Sequence, residues 1–131
     1  MHPHYPEDRL YHRDALWLRA LDGGEALVGV NHHAQHSLGA VMYVDLPRLG
    51  GVLRQGTPFG TIESGKAVSD LIAPASGTVL EINAALRGTP ALVNREPYGG
   101  GWMLRIQLDT PAAEAGLFDA AGYLAFLGAG T

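Results

Sequence analysis

Glycine and proline recur along the whole chain, and this feature limits the fold more than any other. The 131 residues include 18 glycines and eight prolines. Both residue types interrupt helices and strands and favour tight turns. The sequence therefore predicts many short elements joined by turns. Its length is that of one domain with a small hydrophobic core.

Short strands predominate among the elements that the sequence predicts. Apolar or alternating runs predict strands at 16–21, 26–30, 41–46, 59–63, 68–72, 78–83 and 102–108, with a short element around 52–53. Asn31 and Gly39 are suited to begin and end a short helix over 32–38. An alanine-rich segment over about 111–127 predicts C-terminal helices. We expect an all-β, barrel-like core with small helices, as a single domain over 11–131 after a flexible tail over 1–10.

Composition excludes several classes of protein. A net charge of −4 argues against nucleic-acid binding, because little positive charge is available to neutralise phosphates. No apolar run approaches the roughly 18 residues of a membrane span, and the N-terminus lacks the pattern of a signal peptide, so we expect a cytoplasmic protein. The absence of cysteine excludes disulfides, thiolate metal sites and cysteine nucleophiles. A thiol-free chain would also suit a carrier of a redox-active dithiol.

Lysine occurs once in the chain, at Lys66, against eight arginines. It lies between the predicted strands 59–63 and 68–72, at the tip of a hairpin. Gly65 beside it removes steric bulk and permits a positive φ. A lysine amine can be acylated, whereas a guanidinium is a poor nucleophile at neutral pH. The pattern therefore predicts one protruding amine that is available for covalent modification.

Residues 63–71, ESGKAVSDL, resemble the lipoylation motif of the glycine cleavage system H protein family. The resemblance covers roughly residues 11–127, because further segments follow the family's order and spacing. These segments are VGV at 28–30, AQ at 34–35, LG at 38–39, YVDLP at 43–47, PFG at 58–60, APASG at 73–77, EIN at 81–83, LVN at 92–94 and PYGGGW at 97–102, with Tyr123 near the end. Biotin carriers usually flank the lysine with methionines, so Gly65 and Ala67 argue against biotin.

This resemblance implies a mainly β fold, a barrel-sandwich hybrid of the lipoyl- and biotinyl-carrier type with short flanking helices and C-terminal helices. It implies lipoic acid in amide linkage to Lys66 of a carrier that is not itself an enzyme. The implied partners are glycine decarboxylase (a pyridoxal-phosphate enzyme), a tetrahydrofolate-dependent aminomethyltransferase, dihydrolipoamide dehydrogenase and a lipoate-attaching enzyme. We expect a monomer. Recognition around the attachment hairpin is expected at Glu63, Ser64, Gly65, Ala67 and Asp70.

Three positions depart from the family pattern. Leu16 stands where the family has an acidic residue that lines a cleft for the loaded arm, Gly65 precedes the lysine, and Ala40 replaces another acidic residue. Asp70, by motif match, and Asp14, by proximity in sequence, are the candidate contacts for a loaded arm. These departures leave two alternatives open: a lipoyl carrier of another pathway such as sulfur oxidation, or an unmodified scaffold protein.

Other polar residues give weaker signals. His32 and His36 would share a helix face and could chelate a metal, but no third ligand is apparent, so we expect a solvated helix and no metal site. Ser76 lacks a recognisable His–Asp set, which argues against a small hydrolase, and we expect no catalytic residues.

Overall fold

Two antiparallel β-sheets form the framework of the computed structural model, which describes residues 4–129. One sheet has the strand order β1-β2-β3-β9-β8-β5, and the other has the order β4-β6-β7. The strands are β1 (Leu10–Tyr11), β2 (Leu16–Ala20), β3 (Glu25–Val30), β4 (Val41–Asp45), β5 (Val52–Leu53), β6 (Pro58–Ser64), β7 (Val68–Ile72), β8 (Gly77–Ile82) and β9 (Leu104–Leu108). The α-helices are α1 (His32–Leu38), α2 (Ala85–Gly88), α3 (Leu92–Arg95) and α4 (Ala120–Ala129).

The main hydrophobic core lies between the two sheets. Val28 and Ile106 of the larger sheet pack in one cluster with Ile62 and Leu71 of the smaller sheet, and each of these side chains is at most 2% exposed. Burial of this apolar surface is the main force that holds the sheets together. The architecture confirms the predicted mainly β hybrid with short helices.

Short-range chemistry explains the placement of helix α1. The Asn31 side chain accepts a hydrogen bond from the Ala34 N–H at 3.0 Å, as an N-cap should. Gly39 ends the helix with φ 79°, which a residue without a Cβ adopts at little cost. The bounds of this helix match the sequence prediction, because both end signals are local.

A second cluster is built from aromatic side chains near the two ends of the described chain. It contains Tyr5, Tyr11, Trp17, Ala120 and Tyr123. The Arg9 guanidinium lies 4.7 Å from the Trp17 ring centroid and 5.2 Å from that of Tyr98, which are cation–π distances. This arrangement ties the N-terminal segment to the body of the domain.

Residues 4–10 thus differ from the flexible tail expected over 1–10. Tyr5 is 5% exposed and Arg9 is 8% exposed, and strand β1 pairs with β2. Histidines and prolines at the start of the chain predict a loose tail, whereas aromatic and cationic side chains of this segment pack against the domain. Residues 1–3 lie outside the described residues.

Within residues 4–129, no helix has the length and apolar character that would be needed to span a membrane.

Candidate functional site

The hairpin formed by β6 and β7 presents the chain's single lysine. Glu63 pairs with Val68, and residues 65–67 form the tip with Lys66 exposed. The buried Ser64 organises this tip: its N–H donates to the Ala67 carbonyl at 2.8 Å, and its Oγ accepts from the Lys66 N–H at 3.4 Å. A lysine at the tip of an ordered hairpin has an accessible amine, because the paired strands hold the tip in place.

The aliphatic part of Lys66 lies over Gly39, at the C-terminal end of α1. A Cβ built on Gly39 would stand 3.6 Å from the Lys66 Cε, in van der Waals contact. Gly39 also has a positive φ of 79°, which disfavours any other residue. The Lys66 Cε therefore lies next to the space that a side chain at residue 39 would occupy.

A cleft of about 360 Å³ lies beside the hairpin. Its walls come from β7, α1 and the connection between β1 and β2. Asp14 and Asp70 both line it, with Leu16 and His33. Leu16 is 2% exposed and adds an apolar wall, whereas both aspartates are exposed. The structure therefore places in one cleft two carboxylates that are 56 residues apart in sequence.

Asp14 reaches the cleft because of the tight connection between β1 and β2. Ala15 has φ 73°, the left-handed conformation typical of the last residue of a three-residue hairpin loop. The Asp14 N–H donates to His12 Nδ1 at 3.0 Å, and the Ala15 carbonyl accepts from the Asn31 N–H at 3.0 Å. These bonds fix the loop against the start of α1.

The state of His12 follows from the same geometry. His12 is 8% exposed, and burial lowers its pKa below the usual value, outweighing the opposite effect of Asp14. An Nδ1 that accepts from the Asp14 N–H carries no proton, so the ring is neutral near pH 7. The 3.5 Å approach of Asp14 Oδ2 to this nitrogen is therefore no ion pair.

The residues predicted for recognition do not all face solvent. Glu63, Gly65, Ala67 and Asp70 are exposed around the tip. Ser64 differs, because it is only 6% exposed and its hydrogen bonds point into the hairpin. Its contribution is to the shape of the tip.

The remaining sequence signals have structural explanations. The His32 and His36 rings stack with centroids 5.6 Å apart instead of converging on a point. No group of three or more His, Asp or Glu side chains among the described residues is placed to hold a metal ion. Ser76 Oγ accepts from the Gln55 N–H at 3.0 Å, as a turn residue does.

Comparison with known proteins adds to this geometry. The family model described as glycine cleavage H-protein matches residues 9–129.

The chain belongs to the glycine cleavage H-protein family.

Curated members of the H-protein family are similar over most of their length. The glycine cleavage system H protein of Symbiobacterium thermophilum is 46% identical over 121 residues, which cover 92% of this chain and 94% of that protein. The H protein of Rubrobacter xylanophilus is 50% identical over 103 residues, covering 79% and 81%. The crystal structure of the Mycobacterium marinum H protein matches with a TM-score of 0.85 at 37% identity, covering 94% of this chain and 98% of that one.

The H-protein fold also brings to the site residues that sequence reasoning left without a role. His33 and Ser37 line the cleft from α1. Asn94 of α3 bonds the backbone of Gly39 and Val41. No local pattern marks these residues, because their roles depend on contacts between segments distant in sequence. The family segment at 92–94 is the one sequence signal that includes Asn94.

Proposed function

We propose that this chain is the lipoyl carrier of a glycine cleavage system, with lipoate in amide linkage to Lys66. It accepts an aminomethyl group from glycine decarboxylase and delivers it to the tetrahydrofolate-dependent aminomethyltransferase. One observation carries the proposal: the chain's only lysine is exposed at the tip of the attachment hairpin of an H-protein fold. Family membership over residues 9–129 supports the same function.

The residues around Lys66 fit a lipoyl group. The amine is exposed at the tip, Gly39 leaves room beneath the lysyl methylenes, and the cleft beside the hairpin has an apolar wall at Leu16. Lipoate, when attached, supplies a dithiolane that is reduced as an aminomethyl group is taken up from glycine. The protein's own residues hold the arm's base and offer it a sheltered surface.

Asp14 and Asp70 act on the carried amine. An aminomethyl amine is cationic near neutral pH, so carboxylates in the cleft attract it. Leu16 excludes water from one wall but brings no charge, which departs from the family pattern. Asp14, delivered by the left-handed turn at Ala15, replaces the carboxylate that residue 16 lacks.

The exposed tip residues Glu63, Gly65, Ala67 and Asp70 are the surface that a lipoate-attaching enzyme reads. Dihydrolipoamide dehydrogenase restores the oxidised arm after each cycle. A shuttle that visits several enzymes in turn works as a monomer with small, transient interfaces. We place this cycle in the cytoplasm.

The test of the proposal is transfer of carbon from glycine. Lipoylated protein is incubated with carbon-labelled glycine and the decarboxylase of a glycine cleavage system, then with the aminomethyltransferase and tetrahydrofolate. We expect label on the lipoylated protein and then on the folate, and none on the unmodified protein. A lipoylated protein that takes no label would contradict the proposal and favour a carrier of another cargo, such as one in sulfur oxidation.

The two cleft carboxylates should control how long the aminomethyl group is retained. An exposed ion pair contributes about 1 kcal/mol. Asp14→Asn or Asp70→Asn should therefore speed the loss of formaldehyde from the loaded protein about fivefold, and the double variant about 25-fold. Formaldehyde and ammonia release at fixed pH measure the rate. Asp22→Asn, in the turn before β3, removes a carboxylate outside the cleft and should change nothing. If the rates in all four variants equalled the wild-type rate, Asp14 and Asp70 would not retain the aminomethyl group.

A further inference from the structure

Asn94, on helix α3, bonds a segment over residues 35–41 that is distant from it in sequence. Its Oδ1 accepts from the Val41 N–H at 2.8 Å. Its Nδ2 donates to the Gly39 carbonyl at 2.8 Å and to Gln35 Oε1 at 3.2 Å. One amide group therefore fixes the end of α1 and the first residue of β4 at the same time.

The bond from Asn94 to Gly39 affects the surroundings of the Lys66 side chain. The Lys66 Cε lies over Gly39, at the distance of ordinary van der Waals contact from a Cβ built there. The Gly39 carbonyl is held by Asn94. Displacement of this peptide would change the surface that lies next to the Lys66 Cε.

The second bond, between Asn94 and Val41, concerns the backbone under the tip. Val41 pairs with Ser64 in the β4–β6 ladder, and Ser64 binds both Ala67 and the Lys66 N–H. The Val41 N–H is the group that Asn94 holds. The pairing of Val41 with Ser64, together with the hydrogen bonds of Ser64, thus connects Asn94 with the backbone of Lys66.

We infer that Asn94 is the positioning residue for Lys66: through Gly39 and Val41 it sets where the lysine amine is presented to a modifying enzyme. This inference rests on the proposed function of Lys66. Asn94 does not touch the amine, so it is not a catalytic residue. Its loss should lower the rate of modification at saturating protein without weakening the docking of the enzyme.

A matched variant separates positioning from general support of the fold. Asn83 also makes three hydrogen bonds, to the Gly100 and Trp102 carbonyls and from the Ala85 N–H, none of them at the hairpin. Asn94→Ala is compared with Asn83→Ala, both at a temperature where each variant is folded. Asn94→Asp is a second variant, because it keeps an acceptor for Val41 but places a carboxylate oxygen, which cannot donate, against the Gly39 carbonyl.

Two readouts are used. The first is lipoyl addition by a lipoate–protein ligase with lipoate and ATP, separated into kcat and KM for the protein substrate. The second is the nuclear Overhauser effect between the Lys66 ε-methylene and the Gly39 α-protons, in protein labelled at lysine Cε. A chain with one lysine gives a single labelled position.

We expect both Asn94 variants to lose the Lys66–Gly39 signal and to show kcat lowered about tenfold with KM within twofold. Asn83→Ala should retain both properties. Retention of the signal in the Asn94 variants, or an equal loss in Asn83→Ala, would overturn the inference. If the wild-type protein accepts no lipoyl group, the proposed function fails, and the inference about Asn94 is then decided by the Lys66–Gly39 signal alone.

Discussion

Lys66→Arg should abolish lipoyl addition completely and leave the fold intact. Arginine keeps the positive charge and the length of the side chain, but its guanidinium does not serve as an acylation acceptor at neutral pH. Lys66 is exposed and makes no side-chain ion pair among the described residues. Its replacement should change the free energy of unfolding by no more than about 0.5 kcal/mol. Intact-protein mass before and after treatment with a lipoate–protein ligase, lipoate and ATP measures the effect.

A relocated lysine provides the control for this experiment. In the variant Lys66→Arg with Arg54→Lys, the chain again has one lysine and the same net charge, but the amine lies at an exposed position outside the hairpin. We expect no addition to this double variant, because the attaching enzyme reads the tip and not merely an amine. Addition to Lys66→Arg, mapped to the N-terminus or elsewhere, would refute the assignment of the attachment site.

Gly60→Ala should cost about 2–4 kcal/mol of folding free energy, a large share of the stability of a domain of this size. Gly60 lies on β6, where a Cβ would collide with the backbone carbonyl oxygen of Asp45 on β4. Backbone oxygen cannot rotate away as a side chain can, so β4 and β6 must separate. Urea unfolding followed by circular dichroism gives the change in free energy.

Gly88→Ala is the matched substitution for this prediction. Gly88 ends the short helix α2, and a Cβ there would meet nothing within 4 Å. Its replacement should leave stability within about 0.5 kcal/mol or raise it slightly, since alanine favours helix. If Gly60→Ala proved as mild as Gly88→Ala, the close approach of β4 and β6 at Gly60 would not exist in solution.

The sequence predicts the elements whose signals are local. The strands flanking Lys66 follow from two short apolar runs separated by Ser64 to Ala67, and helix α1 follows from its end residues Asn31 and Gly39. These features depend on neighbours along the chain, so pattern and turn chemistry are sufficient. The family resemblance then supplies the pairing of the strands, which composition and periodicity do not.

Long-range contacts explain what the sequence leaves out. Strand β1 straddles the predicted end of the tail at residue 10. The sequence does not indicate it, because two residues form no visible period and the segment is held by aromatic contacts such as those of Tyr11 with Tyr123. Ala15 gives no warning of its left-handed φ, since alanine rarely adopts it. The role of Ser64 within the hairpin is likewise a matter of burial, which neighbouring residues do not reveal.

The hydrogen bonds of Ser64 within the hairpin tip have a kinetic consequence for the lipoyl arm that we propose Lys66 carries. Once a partner enzyme has docked, the arm is a tethered reactant, and its effective concentration in the partner's site depends on the length and stiffness of the tether. Because Ser64 and the pairing of Glu63 with Val68 immobilise the pivot, the tether is the modified side chain alone, without slack from a moving loop. Extra residues in the tip would lengthen the tether and dilute the arm, roughly as the −3/2 power of length beyond the optimum.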